Sequence, residues 1–343
     1  MLGTFDLVAI YLGDRLGFYQ SLATNGPATS AQLAERTGTN ERYAREWLEQ
    51  QGVTGFLTVD DPGKPAVDRV FELPTTYEPL FVDPDSPLNV ASWAQNLMGV
   101  LAPLPLLMDA YRTGAGVPYD AYGPDLAIGQ ARYNRPFLLS ALAQEIIPAM
   151  PDVHARLLSD PPARVADLGV GMGWSSIALA RAYPTITVDG FDLDVYSVEA
   201  ATATSVAEGV DDRVTFQVRD AGDPALAGHY DFALAVECIH DMANPVAALA
   251  AMRRLVGPGG TVLIVDEKTD EVFAAPGSAS ERMLYGFSIV HCLPIGMVEQ
   301  PSAATGAVMR PDTFRRYAAE AGFSKVEILP VDNESFYFYR LTA

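Results

Sequence analysis

The feature that most constrains this chain is an apolar strand pattern followed at once by three alternating glycines. The strand pattern covers Arg164–Leu168, and Gly169, Gly171 and Gly173 come directly after it, before a helix pattern begins. Glycine allows a tight turn and lets backbone N–H groups approach a ligand at the N-terminus of the following helix. The dinucleotide fingerprint Gly-x-Gly-x-x-Gly needs its third small residue where this chain has Trp174. The loop therefore predicts a ligand site at a strand–helix junction and argues against a dinucleotide.

Strand and helix patterns alternate over the second half of the chain. Strand patterns cover residues 187–191, 214–218, 230–236 and 261–265, each followed by a helix pattern or a long connection. Two last strand patterns, 324–329 and 336–341, are close enough to pair as an antiparallel hairpin. This order predicts an α/β fold with a mostly parallel sheet and one antiparallel strand. Ligands of such sheets bind at the carboxyl ends of the strands.

Residues 1–80 have the order of a winged-helix domain. Helix patterns at 5–22, 31–37 and 41–51, the last two capped by Ser30 and Asn40, precede two short strand patterns around a turn. The would-be recognition helix, 41–51, contains three Glu, two Arg and no Lys. Because a DNA-binding helix needs a basic face, we predict a dimerisation or packing domain that does not bind DNA.

Charge and composition exclude several classes of partner and are consistent with a cytoplasmic protein. The chain has 343 residues and a formal net charge of −20, which repels nucleic-acid phosphates and anionic lipid surfaces. No apolar run approaches the roughly 20 residues that span a bilayer, and the first ten residues carry no basic side chain of the kind a secretory signal has. The two cysteines, Cys238 and Cys292, are consistent with a reducing compartment. We therefore expect no nucleic-acid partner and no membrane partner.

The remaining segments complete a three-part organisation. Residues 81–160 contain mostly helical patterns broken by prolines, with an apolar stretch at 89–111, and are predicted to form a helical connector and substrate wall. Residues 161–343 then form the ligand-binding α/β domain, and 1–80 the winged-helix dimerisation domain.

Four sites along the second half resemble class I S-adenosylmethionine-dependent methyltransferases. The loop Asp167-Leu-Gly-Val-Gly-Met-Gly173 resembles the family's acid-hydrophobic-Gly-x-Gly-x-Gly motif. Asp192 ends the second strand, where the family's acid holds both ribose hydroxyls, and Asp220 follows the third, where the family's acid meets the adenine amino group. Glu237 opens a segment after the fourth strand. The resemblance implies S-adenosyl-L-methionine as cofactor, bound by Asp167, Gly169, Gly171, Gly173, Asp192, Leu193, Asp220, Ala221 and Glu237.

The whole chain resembles a narrower group, the small-molecule O-methyltransferases of plants and of bacterial natural-product pathways, and within it an actinobacterial branch. This resemblance implies methyl transfer to a small, aromatic or hydrophobic acceptor, with O-methylation as the expected reaction, and a homodimer formed through the first domain. Relatives of this fold that keep the cofactor but catalyse decarboxylation or hydroxylation provide an alternative. An apolar insertion is expected to line the acceptor pocket through Met283, Leu284, Tyr285, Phe287, Ile289, Leu293, Ile295 and Met297.

Two histidines are the candidate catalytic residues. A neutral histidine is a natural base for a hydroxyl acceptor near pH 7. His240 follows the fourth strand in a His-Asp pair, where plant-type O-methyltransferases carry their base. His291 lies in the long insertion after the fifth strand, as a second catalytic candidate or as a hydrogen-bonded pocket-wall residue. Glu267 and Glu299 are lesser candidates that either orient a histidine or face water.

A metal-assisted mechanism is a further alternative. His240, Asp241 and His291 together would supply two histidines and one carboxylate, a known iron-binding combination. Iron-dependent C-methyltransferases that act on an aromatic keto acid have similarly placed histidines, which makes a metal-assisted C-methyltransferase using His240 and His291 the alternative. A spacing of about 50 residues carries little specificity, so no metal ligand is included in the prediction.

Overall fold

The computed structural model describes residues 1–342, which form two compact units. The first unit comprises Met1–Gly99 together with Ile128–Pro136, and the second comprises Val100–Ala127 together with the chain from Phe137 onward. All the residues predicted for cofactor binding and catalysis lie in the second unit.

The described residues form α-helices at Leu2–Arg15, Phe18–Asn25, Ser30–Thr37, Glu41–Thr54, Glu78–Phe81, Val90–Leu101, Leu104–Thr113, Pro124–Phe137, Pro151–Leu157, Trp174–Ala182, Val195–Ala207, Pro245–Val256, Ala279–Phe287, Leu293–Gly296 and Pro311–Glu320. Shorter helical turns are π-helical at Leu138–Ile146 and Ser288–Cys292, and 3₁₀ at Ala66–Asp68, Thr75–Tyr77, Tyr119–Tyr122 and Ile239–Asp241. No single helix within residues 1–342 is long and apolar enough to cross a membrane, although Val90–Leu101 and Leu104–Thr113 pass such a test when counted together.

Nine strands form a small hairpin and one large sheet. They are β1 (Thr58–Val59), β2 (Phe71–Glu72), β3 (Arg164–Leu168), β4 (Thr187–Asp192), β5 (Val214–Val218), β6 (Phe232–Val236), β7 (Thr261–Glu267), β8 (Lys325–Ile328) and β9 (Phe336–Thr342). β1 and β2 pair antiparallel, and the other seven lie in the order β5-β4-β3-β6-β7-β9-β8. Only β9 runs against its neighbours in the large sheet. The predicted α/β fold with one antiparallel strand is therefore confirmed.

Both faces of the large sheet are covered by apolar clusters. Along β3, Val165 belongs to an apolar cluster with Ile177 and other residues on one face, and Ala166 belongs to a second cluster with Leu249 and Phe314 on the other. A central parallel strand covered on both sides accounts for the nearly continuous apolar strand patterns. The carboxyl ends of β3 and β4 are level, since Leu168 pairs with Phe191.

The first unit differs from its prediction at one turn. The pattern at 5–22 is two helices, because Gly17 adopts a left-handed conformation with φ of 71° between them. The second helix thereby brings Phe18 and Tyr19 onto Trp47, with ring centroids 4.8 and 5.0 Å away. Trp47 also donates a hydrogen bond of 2.8 Å from Nε1 to the Ala9 carbonyl. Trp47 is therefore a core residue of this unit.

Helix ends were the least accurate part of the prediction. The third helix is capped by Thr29, not Ser30, in a reciprocal capping box with Gln32. The fourth helix continues past the predicted stop at Gly52 and ends at Gly55, which has φ of 87°. Within the predicted helical connector, the helix Pro124–Phe137 continues directly into a π-helical segment, Leu138–Ile146.

Candidate functional site

Two of the three glycines in the loop after β3, Gly169 and Gly173, have no room for a side chain. Gly169 and Gly173 have φ values of 67° and 85°, in the left-handed region that disfavours other residues. A Cβ atom at Gly169 would lie 2.5 Å from the Sγ of Cys238, and one at Gly173 would lie 2.8 Å from the ring of Phe216. The helix Trp174–Ala182 begins immediately after the loop, so its N-terminal N–H groups are available to a ligand.

Asp167 is a buried carboxylate at the end of β3 with one free oxygen. Its Oδ2 accepts hydrogen bonds from the hydroxyls of Ser175 at 2.5 Å and Ser176 at 2.7 Å. Its Oδ1 accepts no hydrogen bond from residues 1–342 although it is buried. Burial raises the pKa of Asp167 to about 6, against the effect of the two serine hydroxyls. A buried oxygen of this kind is suited to a cationic group of a ligand.

Asp192 is fixed against the glycine loop from the end of β4. Its Oδ2 accepts the N–H of Gly171 at 2.7 Å, and its Oδ1 accepts the N–H of Asp194 at 2.9 Å. Burial raises the pKa of Asp192 above its usual value. Each carboxylate oxygen has a second lone pair, so the group can still accept two ligand hydroxyls. Leu193 beside it is exposed.

The next two strand ends supply the rest of the predicted cofactor residues. After β5, Asp220 accepts the N–H of Gly222 at 2.7 Å, and Ala221 is buried. After β6, Glu237 has φ of 51°, a left-handed conformation that costs a residue with a side chain on the order of 1–3 kcal/mol. Its N–H is held by the carbonyl of Val265 at 2.8 Å. The nine predicted residues thus lie at the carboxyl ends of β3, β4, β5 and β6.

His240 lies in the 3₁₀ turn after β6, between two carboxylates. Its Nδ1 lies 2.7 Å from Oδ1 of Asp266 on β7, and its Nε2 lies 3.2 Å from Oδ1 of Asp241. Burial lowers the pKa of His240, but the two carboxylates outweigh burial and hold that pKa well above the usual value. A base needs a neutral ring near pH 7, whereas the two carboxylates beside His240 favour its protonated form.

His291 has the opposite surroundings. It lies in the π-helical turn Ser288–Cys292 with its ring edge-on to Tyr122, at 5.2 Å between centroids, and to Tyr119, at 6.3 Å. Its Nδ1 lies 3.5 Å from Sγ of Cys292, and its Nε2 is buried without a hydrogen bond from residues 1–342. Burial lowers the pKa of His291. One ring nitrogen thus has no hydrogen-bond partner among residues 1–342 and lies inside an aromatic environment.

The tyrosines of the connector are site residues that sequence reasoning did not assign. The hydroxyl of Tyr122 donates to the carbonyl of Val290 at 2.9 Å, and the N–H of Val117 donates to the carbonyl of Pro294 at 3.0 Å. The aromatic cluster at 119–133 was visible in the sequence, but its pairing with a segment about 170 positions later was not.

The apolar insertion is only partly a pocket wall. Phe287, Val290 and Ile295 pack on the cluster around Tyr122. Met283, Tyr285 and Ile289 are instead exposed, at 47%, 40% and 50%, so the predicted lining set is too large. Of the lesser candidates, Glu299 is exposed, and Glu267 is a buried carboxyl whose pKa is raised by burial and by the neighbouring Glu237.

Comparison with known proteins identifies the second unit's family. A family profile described as "Methyltransferase domain" matches residues 142–328, more than half of the chain, and a profile described as "Rv2258c-like winged HTH domain" matches residues 6–74. The chain belongs to the methyltransferase-domain family. Norajmaline N-methyltransferase of Rauvolfia serpentina is 30% identical over 115 residues, which are 32% of this chain and 39% of that protein. The chain spans well under half the length of the first curated relatives it matches.

Solved structures share the whole architecture. The mitomycin 7-O-methyltransferase MmcR is 20% identical, with a TM-score of 0.68 over 99% of this chain and 95% of that one. Human N-acetylserotonin methyltransferase, solved with S-adenosylmethionine, is 17% identical, with a TM-score of 0.68 over 99% and 94%. At these identities the likeness shows the fold. Together with the family profiles, it confirms the predicted fold, a methyltransferase domain preceded by a winged-helix domain.

Proposed function

We propose that this protein transfers a methyl group from S-adenosylmethionine to a hydroxyl group of a small aromatic or hydrophobic molecule. The observation that carries the proposal is the joint position of the glycine loop and the carboxylates of Asp167, Asp192 and Asp220 at adjacent strand ends. This arrangement offers separate acceptors for the charged, ribose and adenine parts of such a cofactor. Of the two structures compared above, one is an O-methyltransferase by name and the other was solved with the cofactor.

The residues present suit this cofactor. Asp192 has two free lone pairs for the ribose hydroxyls, and Asp220 follows β5 where the adenine amino group is expected. The buried free oxygen of Asp167 would pair with a cationic group. When bound, S-adenosylmethionine supplies a methyl group activated by its sulfonium. The protein then has to hold the acceptor and remove its proton.

His291 is the proposed proton acceptor. A hydroxyl becomes a nucleophile when a positioned base takes its proton, and the base needs a free lone pair. Nε2 of His291 meets no hydrogen-bond partner among residues 1–342 and presents a lone pair when the proton is on Nδ1, whereas both nitrogens of His240 face carboxylates. The rings of Tyr119 and Tyr122 beside His291 favour a flat apolar acceptor.

The proposal is tested by calorimetry with S-adenosylhomocysteine and by transfer of labelled methyl groups to a panel of phenols. Binding of the cofactor product together with methylation of a phenolic oxygen is expected. Binding without transfer to any phenol, amine or carbon acid would favour a non-methylating relative, and binding of NADH alone would overturn the proposal.

We expect cofactor affinity to depend on pH through Asp167. Its pKa of about 6 means that the carboxylate is ionised above pH 7 and protonated well below pH 6. Only the ionised form attracts a cationic group, so affinity for S-adenosylmethionine should be constant above pH 7 and weaken as pH falls through 6, approaching tenfold per unit. In Asp167→Asn, which keeps an acceptor for the two serines, this loss of affinity below pH 6 should be absent. The same pH dependence in that variant would contradict the role of Asp167 in binding the cationic group.

We also propose that the protein is a cytoplasmic homodimer. The first helix leaves Leu2, Phe5 and Leu12 exposed, at 81%, 65% and 43%. Sedimentation at micromolar concentration should give a mass near twice 36.9 kDa, because such an apolar face is more stable when covered. Phe5→Asp should yield a monomer, while Val53→Asp, at a site that is 88% exposed, should not. A monomeric wild type would refute this proposal and leave the methyltransferase assignment untouched.

A further inference from the structure

Three side chains with different donor atoms converge beside His291. One ligand atom each from His240, Asp241 and Cys292 lie within 4.8 Å of one another, and His240 and Cys292 are buried. We propose that these three residues bind a divalent transition-metal ion, with zinc as the cation that best suits an imidazole, a carboxylate and a thiolate together. The site differs from the histidine pair considered from sequence, because its third member is Cys292 and not His291.

The spacing of the donor atoms supports this proposal. Nε2 of His240 and Oδ1 of Asp241 are 3.2 Å apart, yet Oδ1 accepts no hydrogen bond of acceptable geometry from residues 1–342. Nitrogen and oxygen ligands about 2.0–2.1 Å from a tetrahedral zinc are separated by about 3.3 Å. The two atoms are thus placed as ligands around a common centre. An N–S or O–S edge is about 3.6 Å, so side-chain movement on the order of 1 Å at Cys292 closes the set.

A carboxylate behind His240 completes the pattern of a metal-bound histidine. Oδ1 of Asp266 lies 2.7 Å from Nδ1 and is itself held by the N–H of Glu267 at 2.9 Å. Histidine ligands commonly donate their other N–H to such a carboxylate, which fixes the ring and the tautomer. Here the contact directs Nε2 toward Asp241.

The charge around the site also favours a cation. Burial raises the pKa of Glu267, and the carboxyl groups of Glu237, Asp266 and Asp241 raise it further against the effect of His240. Gathering four carboxyl groups in one place is costly unless positive charge offsets them. A divalent ion supplies that charge at the point where the donors converge.

The role inferred for the ion rests on the proposed function. A cation beside the free nitrogen of His291 would stabilise negative charge on an acceptor oxygen, while His291 takes the proton. Binding of the ion itself does not depend on methyl transfer and can be measured without a substrate.

The test is a titration of the full-length, chelator-treated protein with Co²⁺, followed by absorption spectroscopy. We expect one equivalent to produce the visible bands of a tetrahedral ion and a near-ultraviolet sulfur-to-cobalt charge-transfer band, both removed by added Zn²⁺. Cys292→Ser should abolish the charge-transfer band. Asp266→Asn should keep the band but weaken binding about 10-fold to 100-fold, as loss of an outer-shell partner does.

Cys238→Ser is the matched control, because Sγ of Cys238 donates to the carbonyl of Leu168 at 3.4 Å and lies outside the proposed set. This variant should keep the full spectrum. Calorimetry with S-adenosylhomocysteine on each variant reports whether the fold is intact. A wild type that binds S-adenosylhomocysteine but shows no cobalt spectrum, or a charge-transfer band that survives in Cys292→Ser, would overturn the metal site and leave the proposed methyl transfer standing.

Discussion

Asp192→Ala should weaken binding of S-adenosylhomocysteine roughly 10²-fold to 10³-fold. The substitution removes the acceptor of two ribose hydroxyls, and hydrogen bonds to a charged group contribute about 1.5–3 kcal/mol each. It also releases the N–H groups of Gly171 and Asp194, which the carboxylate now holds at 2.7 and 2.9 Å. Isothermal titration calorimetry at pH 7.5 measures the loss directly. Asp192→Asn keeps one acceptor oxygen and should lose about tenfold.

The matched control for this prediction is Asp189→Asn on the same strand. The carboxylate of Asp189 accepts hydrogen bonds from Thr215 at 2.7 Å and from Tyr230 at 2.8 Å, so it is engaged away from the glycine loop. The affinity of the Asp189→Asn variant for S-adenosylhomocysteine should equal that of the wild type. Equal losses in Asp189→Asn and Asp192→Ala would show a general loss of sheet stability and would contradict the specific role of Asp192.

The positions of the proposed cofactor-binding residues could be predicted because these residues are close in sequence to strand ends. Asp167 and the glycines belong to one loop, and Asp192 and Asp220 each follow a strand that the apolar pattern marks. In a parallel sheet the carboxyl ends of all the strands lie at the same edge, so residues that follow different strands in the sequence come together there. No side-chain packing has to be known for that step.

The catalytic half could not be predicted in the same way. The partner of His240 is Asp266, on a strand that begins more than 20 residues later, and no local pattern distinguishes it from other strand-end carboxylates. The choice between His291 and Cys292 depends on the register of a π-helical turn, which brings the thiol toward His240 and Asp241. In the first unit, one left-handed glycine, Gly17, divides the helix pattern at 5–22 into two helices and brings Phe18 and Tyr19 onto Trp47.

The largest effect on turnover should follow from His291→Ala, which removes the proposed base, whose Nε2 has no hydrogen-bond partner among residues 1–342. General-base catalysis contributes typically 10²–10⁴-fold, so transfer of labelled methyl groups to a phenolic acceptor should fall by about that factor. Affinity for S-adenosylhomocysteine should stay within about twofold, because His291 lies in the insertion and not at the strand ends that hold the cofactor.

Two companion variants separate the roles of the histidines. His240→Ala should also lower turnover, because it removes a ligand of the proposed metal ion. This variant should lose the Co²⁺ spectrum, whereas His291→Ala should retain it. His154→Ala is the control, since Nδ1 of His154 bonds to the Tyr183 hydroxyl at 2.8 Å on the helix Pro151–Leu157 and has no part in the site. It should leave turnover unchanged. Normal turnover in His291→Ala, with a large loss in His240→Ala, would assign the proton to His240 and make His291 a residue of the pocket wall.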